Sequence, residues 1–384
     1  MNKIFNNFNN MKDIISKSKK YVKFIKYIYN NLNNNLNQNI SLLTNNISQD
    51  YNLLLDDVVN NYINIQRRFL FSFKNNTKFL ILFDTENNYF VPLDLSDILQ
   101  DFPNFNSSIQ FEFIENNDKY LLFITGGNER IINEKTNYSN DSFLIINVKI
   151  NIDINTKNKI NYKKKYLIEY KDKMPKGKSN HSIIFYNDNL YIIGGFDSNK
   201  KASNDCFYFS YKNKKWNDLP KLNIPRANSS VCLYNKSLLY LFGGRNNEGE
   251  LNTIEYLNIN EIDNNNNSWI LINVIDYGCV WNNMFNSCNV IIGENKILIF
   301  GGEDENKLYK ESFLFDTKNN NIYRGMNLKI PGAFMSQGTY NNGKIYGFDF
   351  KNKNGDYEHK IHIFDVKNNY WSIINTDNNN TNNI

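Results

Sequence analysis

The chain has 384 residues, of which 41% are hydrophobic and 15% aromatic, and its formal net charge at pH 7 is +5. It can therefore bury a large core, and its weak, dispersed charge argues against a nucleic-acid-binding protein. No apolar run approaches the roughly 18 residues of a membrane-spanning helix, and Lys and Asn interrupt the N-terminal apolar residues. Neither a transmembrane span nor a signal peptide is predicted.

Residues 1–60 contain no glycine and no proline, so nothing in them breaks a helix. Their apolar residues recur at alternating steps of four and three from Ile4 to Leu43, which is the heptad pattern of a coiled coil. A further step of four from Leu43 to Ile47 adds a stutter, which unwinds a supercoil locally without ending the helix. We predict one long helix here. It self-associates or, alternatively, folds back as a hairpin or lies on the following domain.

Downstream, four short apolar strands each end in two glycines. This recurring pattern is an internal repeat. The first glycines of the pairs are Gly126, Gly194, Gly243 and Gly301, at intervals of 68, 49 and 58 residues. A four-stranded propeller blade repeats at roughly 50 residues. A degenerate fifth copy follows at residues 345–348.

A second signature, an aromatic-Asp-turn-aromatic hairpin, follows the later glycine pairs. It occurs at residues 315–323 and 364–371, and again upstream of all glycine pairs at residues 83–90. The upstream copy predicts a sixth, glycine-poor blade at about residues 66–95. Its innermost strand is either residues 62–65 or missing, because the polar C-terminal tail cannot supply a strand.

The second glycine copy has the most complete pattern: His181 and an apolar strand, the strand ending in Gly194, then Tyr208 and Trp216, with Arg226 opening the next copy. This order resembles the kelch-repeat family. The resemblance implies an all-β six-bladed kelch-like β-propeller over residues 61–375. The heptad pattern places a long α-helix (coiled coil) before it, and the polar composition predicts a disordered Asn-rich tail at residues 376–384.

A long helix before a repeat domain also resembles the coiled coil that follows B-box zinc modules in some multidomain proteins. The zinc module itself has no counterpart here, since no Cys precedes Cys206 and no His precedes His181. Such a module would lie upstream in a longer relative.

The residues offer no catalytic, cofactor or metal site, so we predict a protein that is not an enzyme. His359 and His362 are three apart and would point to opposite faces of a strand, and His181 occupies a structural position of the kelch pattern. Cys206, Cys232, Cys279 and Cys288 show no pairing framework. We expect reduced, mostly buried thiols in a cytoplasmic protein.

Lysines concentrate at residues 12–26 and 157–178. We interpret both segments as solvated helix and loop surface, with an anionic partner or membrane surface as the alternative.

The resemblance implies that a kelch propeller binds its partner through two loop sets on one rim. The turn before each blade's first strand offers Lys178, Asn180, Arg226, Asn228 and Trp281, and the loop after Gly-Gly offers Arg130, Asp197, Arg245 and Glu303. Arg226 either grips a partner's carboxylate through two parallel hydrogen bonds or braces its own blade turn.

The expected function is a protein-protein interaction scaffold, with the propeller rim binding a partner protein and the helix mediating self-association. The alternatives are a substrate-receptor subunit of a ubiquitin-ligase-type assembly and an actin or cytoskeleton cross-linker. No nucleic acid or membrane partner is expected.

Overall fold

The computed structural model describes residues 68–100, 102, 104–105, 108–116, 119–130, 136–137, 139–154, 160–262, 267–276, 284–334, 338–351, 359–368 and 370–375. Its regular elements are β-strands and one 3-10 helix at Ile259–Glu261. No helix in these ranges is long and apolar enough to cross a bilayer. The predicted helix over residues 1–60 and the predicted tail over residues 376–384 lie outside the described residues.

The described strands form six larger sheets, the blades, which follow one another along the chain, and two small two-stranded sheets in blade loops. Blade 1 contains β1 (Phe69–Phe73), β2 (Phe79–Asp84) and β3 (Tyr89–Asp94). Blade 2 contains β4 (Gln110–Asn116), β5 (Lys119–Thr125), the small loop hairpin β6 (Glu129–Arg130) and β7 (Thr136–Asn137), then β8 (Asn140–Ile154) and β9 (Ile160–Lys178). Blade 3 contains β10 (Ser182–Tyr186), β11 (Asn189–Ile193), β12 (Cys206–Ser210) and β13 (Lys215–Leu219).

Blade 4 contains β14 (Ser230–Tyr234), β15 (Leu238–Phe242), the loop hairpin β16 (Arg245–Asn246) and β17 (Gly249–Glu250), then β18 (Ile254–Asn258) and β19 (Ile270–Ile272). Blade 5 contains β20 (Ile275–Asp276), β21 (Cys288–Gly293), β22 (Lys296–Phe300), β23 (Ser312–Asp316) and β24 (Asn321–Arg324). Blade 6 contains β25 (Ala333–Phe334), β26 (Thr339–Asn341), β27 (Lys344–Lys351), β28 (Lys360–Asp365) and β29 (Tyr370–Asn375).

The core lies between neighbouring blades, because each blade is apolar on both faces. Phe143 of blade 2 packs edge-on against Phe209 and Trp216 of blade 3, with ring centroids 4.7 and 4.9 Å apart. Aromatic rings contribute large apolar areas to such contacts, which explains the aromatic-rich composition.

In blades 2 to 5, a Gly-Gly pair joins the blade to the next one. The second glycine donates its backbone N–H to a carbonyl that leads into the following blade: Gly127 to Lys178 (2.9 Å), Gly195 to Arg226 (2.8 Å), Gly244 to Met284 (2.9 Å) and Gly302 to Gly332 (2.8 Å). At Gly194 the backbone has φ +64, and a Cβ there would overlap the carbonyl oxygen of Arg226. Only glycine combines this φ with so close an approach of two backbones.

The aromatic-Asp hairpins occur at the turn between the last two strands of blades 1, 5 and 6. The aspartate closes the turn by accepting backbone N–H groups: Asp84 from Glu86 (3.0 Å), Asp316 from Lys318 (2.9 Å) and Asp365 from Asn368 (2.8 Å). The glycine-poor sixth blade predicted from residues 83–90 is therefore confirmed, and six blades are present.

The ring closes between blade 1 and blade 6. Phe83 lies 6.1 Å from Tyr346, and Phe90 lies 6.0 Å from Phe348, between ring centroids. β1 contacts both β27 and β4, so it joins the last blade to the second. The described part of blade 1 has three strands, and the candidate fourth strand at residues 62–65 lies outside the described residues.

The second lysine-rich segment is predicted as solvated loop surface. Lys163, Lys164 and Lys165 are exposed, but the assignment to loop is wrong for residues 160–178. These residues form β9, which pairs with β8 out to Ile154 and Ile160. The apolar residues on one side of this long hairpin provide the reason, since Ile150 and Tyr166 pack against the apolar cluster between blades 1 and 2.

Three of the four cysteines lie among the described residues. Cys206, Cys232 and Cys288 are buried, as expected for structural thiols, while Cys279 lies outside these ranges. Burial raises the pKa of the Cys206 thiol to about 12, so this group stays protonated and unreactive at neutral pH.

Candidate functional site

Both predicted loop sets lie at one end of the blades. In blades 3, 4 and 5, the residue after Gly-Gly bridges to the residue that leads into the first strand of the same blade. These bridges are Ser179 to Phe196, Ala227 to Arg245 and Phe285 to Glu303. We call this end of blades 3 to 5 the rim.

A backbone ladder of asparagines runs along the inner side of the rim. Asn228 donates its N–H to the carbonyl of Asn180 (2.8 Å), and Asn286 donates to that of Asn228 (2.9 Å). The three residues have φ of 53, 56 and 53, a left-handed conformation that asparagine tolerates better than most residues. Sequence reasoning missed Asn286, although each asparagine stands 14 or 15 residues before the first glycine of its blade.

Side chains continue the ladder from blade 4 to blade 5. Arg245 Nε donates to Asn228 Oδ1 (3.3 Å), Asn228 Nδ2 donates to Asn286 Oδ1 (3.0 Å), and Asn286 Nδ2 donates to Glu303 Oε1 (2.8 Å). The predicted residues Asn228, Arg245 and Glu303 are therefore brought together. Glu303 is the last acceptor in this series of hydrogen bonds.

The guanidinium of Arg245 lies between two phenyl rings. Its central carbon is 4.7 Å from the ring centroid of Phe285 and 5.4 Å from that of Phe196. The side chain is partly exposed, and it forms no ion pair with any described residue. Stacking and the Nε hydrogen bond fix the orientation of the group, which leaves its Nη atoms as aligned donors for a planar anion such as a carboxylate.

Arg226 occupies a different place. Its side chain is 0% exposed, and its Nη2 lies 2.6 Å from Glu255 Oε1. Its Nη1 donates to the carbonyls of Gly243 (3.0 Å) and Thr253 (3.1 Å). With its donors directed inward, Arg226 has no surface to offer a partner, and the geometry favours the alternative in which it braces its own blade.

Lys178, the last residue of β9, precedes blade 3 as Arg226 precedes blade 4, and its side chain is also buried. Its Nζ donates to Ser203 Oγ (2.6 Å) and lies 4.0 Å from Asp205. Burial lowers the pKa of the ammonium to about 8. Lys178 therefore supports blade 3 from within, as Arg226 supports blade 4.

Of the remaining predicted site residues, three lie in or beside the loops at the Gly-Gly end of the blades, and one lies outside the residues that the structure describes. Asp197 Oδ1 accepts the N–H groups of Asn199 (2.8 Å) and Lys201 (2.9 Å), so it shapes its own loop. Asn180 is part of the asparagine ladder. Arg130 belongs to β6 of the equivalent loop in blade 2, and Trp281 lies outside the described residues.

Neighbouring rim loops are hydrogen-bonded side by side. Asn247 of blade 4 accepts the N–H of Ala202 (3.0 Å), and Glu250 accepts the N–H of Glu305 from blade 5 (3.2 Å). The blade 3 loop carries Lys200 and Lys201, while the blade 5 loop carries Glu303, Asp304 and Glu305. The loops of the rim therefore form one continuous surface. The lysines of the blade 3 loop lie at one end of it and the carboxylates of the blade 5 loop at the other.

Inside the ladder, a pocket opens at the centre of the ring. Its polar lining includes Gln110, Glu112, Ser182, Ser229, Ser230 and Ser287. The lining contributes hydroxyl, amide and carboxyl groups of four neighbouring blades.

The three histidines all make internal hydrogen bonds. His181 Nε2 lies 2.7 Å from Thr125 Oγ1, and burial lowers its pKa to about 3, so the ring is neutral at physiological pH. His362 pairs with Asp349 (2.8 Å) and His359 with Ser72 (3.1 Å). Among the residues that the structure describes, no three His, Cys, Asp or Glu side chains are arranged to hold a metal ion.

Several known proteins are similar to this chain. The model of the KLHDC2/KLHL20/DRC7 Kelch-repeats domain matches residues 74–269, 118–324 and 220–383. Alpha-scruin of Limulus polyphemus is 25% identical over 186 residues, or 45% of this chain and 19% of that protein. Kelch-like protein 41b of Danio rerio is 30% identical over 77 residues, or 20% of this chain and 13% of that protein.

Among solved structures, the structure of YjhT covers 81% of this chain and 98% of its own, with a TM-score of 0.55 and 14% identity. At this identity, the likeness shows the fold alone. The chain spans less than a fifth of the length of the two curated relatives. Each family match covers about half of the chain, and together they extend over all six blades. The chain belongs to the kelch-repeat family.

Proposed function

We propose that the rim binds a segment of a partner protein and that Arg245 holds a carboxylate of that segment. The observation that supports this proposal is the orientation of Arg245, which is stacked between Phe196 and Phe285 and tied through Nε to Asn228. Holding a guanidinium in place before binding lowers the entropic cost of gripping a carboxylate with two hydrogen bonds.

The surroundings of Arg245 favour a protein segment over a small ligand. The joined loops of blades 3 to 5 provide an extended surface, with Lys200 and Lys201 at one end and Glu303 to Glu305 at the other. A segment that carries acidic residues toward blade 3 and basic residues toward blade 5 would complement this polarity. Opposed charges of this kind fix the direction in which a segment binds.

The protein would act as a non-enzymatic scaffold in the cytoplasm. Self-association through residues 1–60 would place two rims in one assembly and raise the avidity for a partner with repeated motifs. Replacing Val22 and Ile25 with Asp should then give monomers, as measured by light scattering, with the melting temperature of the propeller unchanged. A monomeric parent chain at micromolar concentration would contradict self-association.

The rim proposal is tested by affinity purification from the native cell. The tagged parent chain, Arg245→Ala and the control Lys318→Ala serve as baits. Lys318 is exposed and lies in the turn between β23 and β24, at the end of blade 5 away from the rim. We expect Arg245→Ala to lose a set of proteins that the parent and the control both retain. Identical sets for all three baits would contradict the proposal.

A further inference from the structure

The pocket at the centre of the ring lies between the first strands of blades 2 to 4 and the residues that precede β21 of blade 5. Its volume is about 40 Å³. A water molecule needs roughly 10–15 Å³ of such space, so the pocket has room for about three water-sized groups. It is too small for a nucleotide, a sugar or an aromatic ring, and it suits the end of a narrow chain.

The polar lining residues lie at different depths along the inner strands. Asn180 of the ladder donates its N–H to the carbonyl of Ser108 (2.9 Å), so these two residues lie at the same depth on neighbouring blades. On β4, Gln110 is two residues beyond Ser108 and Glu112 is four residues beyond it, or roughly 13 Å along the strand. Of the described polar lining residues, Glu112 is therefore the furthest from the rim.

Two side chains of the lining have hydrogen-bonding capacity to offer a ligand. Gln110 is 9% exposed, yet its side-chain amide forms no hydrogen bond with a residue that the structure describes. The hydroxyl group of Ser229 is likewise without a partner among the described residues, while its backbone carbonyl accepts from Ser182 Oγ (2.7 Å). Polar groups in enclosed positions are normally hydrogen-bonded. Each of the two therefore offers an oxygen acceptor to a donor in the pocket.

The charge of the lining favours a cation. Glu112 is 2% exposed, and its Oε1 accepts the N–H of Phe185 (3.3 Å), which holds the carboxyl group between β4 and β10. A carboxylate can accept about four hydrogen bonds, so this contact does not exhaust it. The described lining contains no Lys or Arg, and burial lowers the pKa of His181 to about 3, so that ring is neutral. The lining therefore attracts a cation and repels a second anion.

We infer that the central pocket binds a primary ammonium group. An ammonium has three N–H donors, and the lining offers it the oxygen atoms of Glu112, Gln110 and Ser229. A guanidinium is a wider, planar group with five donors, which the small volume does not suit. A primary ammonium is the end of a lysine side chain or of a small free amine. The inference concerns this shared chemistry and does not require the rim to bind a partner.

Ordered water that joins the hydroxyl and amide groups is the competing explanation, since buried polar cavities commonly hold water. In that case the pocket would not distinguish ligands by charge. A cation, a neutral molecule and an anion of similar size would all bind equally poorly. The two explanations thus predict different results for the same set of probes.

The probe is ethylammonium, whose three non-hydrogen atoms match the room in the pocket, and saturation-transfer NMR follows its binding to the full chain at pH 7. We expect saturable binding with a Kd no tighter than about 1 mM, the limit for so few atoms. Ethanol and acetate, which are similar in size and lack the positive charge, should not saturate. Nα-acetyl-lysine methylamide distinguishes the two sources, because tighter binding than that of ethylammonium indicates a lysine side chain and weaker binding indicates a free amine.

Glu112→Gln should weaken ethylammonium binding by about tenfold or more, because it removes the charge and retains an oxygen for the N–H of Phe185. Gln110→Met keeps the length of the side chain without its amide and should weaken binding by about threefold. The matched control Glu261→Gln removes the same charge from an exposed position outside the pocket and should bind within about twofold of the parent. Melting temperatures check the fold, and Gln110→Met decides if Glu112→Gln does not fold.

Equal binding of ethylammonium, ethanol and acetate would overturn the inference, as would parental affinity in the folded variants of Glu112 or Gln110. Displacement of ethylammonium by KCl but not by NaCl at equal ionic strength would assign the pocket to a metal cation and would also overturn it. These measurements involve neither a partner protein nor Arg245, so their outcomes are independent of the rim.

Discussion

Arg226 Nη2 lies 2.6 Å from Glu255 Oε1, and neither side chain has any exposed surface. The same carboxylate accepts the backbone N–H groups of Asn223 (2.9 Å) and Ile224 (3.2 Å), which precede Arg226. The pair therefore holds residues 223–226, which precede the first strand of blade 4, against strand β18. Since this segment also receives the N–H of Gly195 from blade 3, the pair stabilises the contact between two blades.

Arg226→Ala should reduce the free energy of unfolding by about 3–5 kcal/mol, because it leaves Glu255 buried without its counter-charge. The double variant Arg226→Met, Glu255→Leu should recover a large part of this loss. Urea denaturation followed by circular dichroism measures both. An Arg226→Ala protein of parental stability that fails to bind the partner would show that Arg226 serves the rim instead.

Gly194→Ala should destabilise the ring more than Gly343→Ala. Both glycines have left-handed φ, +64 and +75, so each substitution incurs conformational strain of about 1–2 kcal/mol. At Gly194 the new Cβ would also overlap the carbonyl oxygen of Arg226, whereas nothing lies within 4 Å at Gly343. The difference in unfolding free energy between the two variants thus isolates the close approach of blades 3 and 4. Equal losses would contradict the role of Gly-Gly as an inter-blade joint.

Truncation after Pro331 should destroy the cooperative unfolding of the ring. It removes Tyr346 and Phe348, which cover Phe83 and Phe90 of blade 1, and a partial ring exposes apolar faces at both ends. Differential scanning calorimetry of the two proteins measures the effect. A soluble truncated chain with the parental melting transition would show that the blades do not form one closed unit.

The stabilising effect of Glu169 should disappear in acid. Its own burial raises the pKa, but hydrogen bonds from Tyr211, Lys214 and Asn147 lower it to about 2, from an ordinary value of 4.5. A carboxyl group with a depressed folded-state pKa stabilises the protein fully above its unfolded value and progressively less as pH falls toward the folded value. Glu169→Gln should therefore be less stable than the parent at pH 7, and the difference should shrink between pH 4.5 and about 2. A difference that is constant with pH would exclude the charge of Glu169 as its source.

The sequence predicted the architecture well because its signals are local. Gly-Gly, the aromatic-Asp turns and short apolar strands are each required by backbone geometry at fixed positions, and they identified six blades even where blade 1 lacks the glycines. The side-chain environment at the rim is not local in this sense. Arg226 and Arg245 are both arginines at blade loops. Arg226 is buried within its own blade, where it pairs with Glu255. Arg245 instead packs against Phe196 and Phe285 from two other blades and stays partly exposed.

The lysine-rich insert shows the same limitation. Its composition resembles a loop, but alternation places Ile150 and Tyr166 on one side of a strand pair, where they reach the apolar cluster beside blade 1. This apolar cluster forms only when blades 1 and 2 pack together in the assembled ring. Sequence reading without that neighbour therefore assigned the segment to loop.

The most direct test of the rim is a calorimetric titration of the partner identified by purification into the parent chain and into Arg245→Ala. If Arg245 anchors a carboxylate, its removal should cost about 2 kcal/mol or more of binding free energy, roughly 30-fold in Kd, with a nearly unchanged melting temperature. An Arg245→Ala protein that binds the partner with parental affinity would contradict the account.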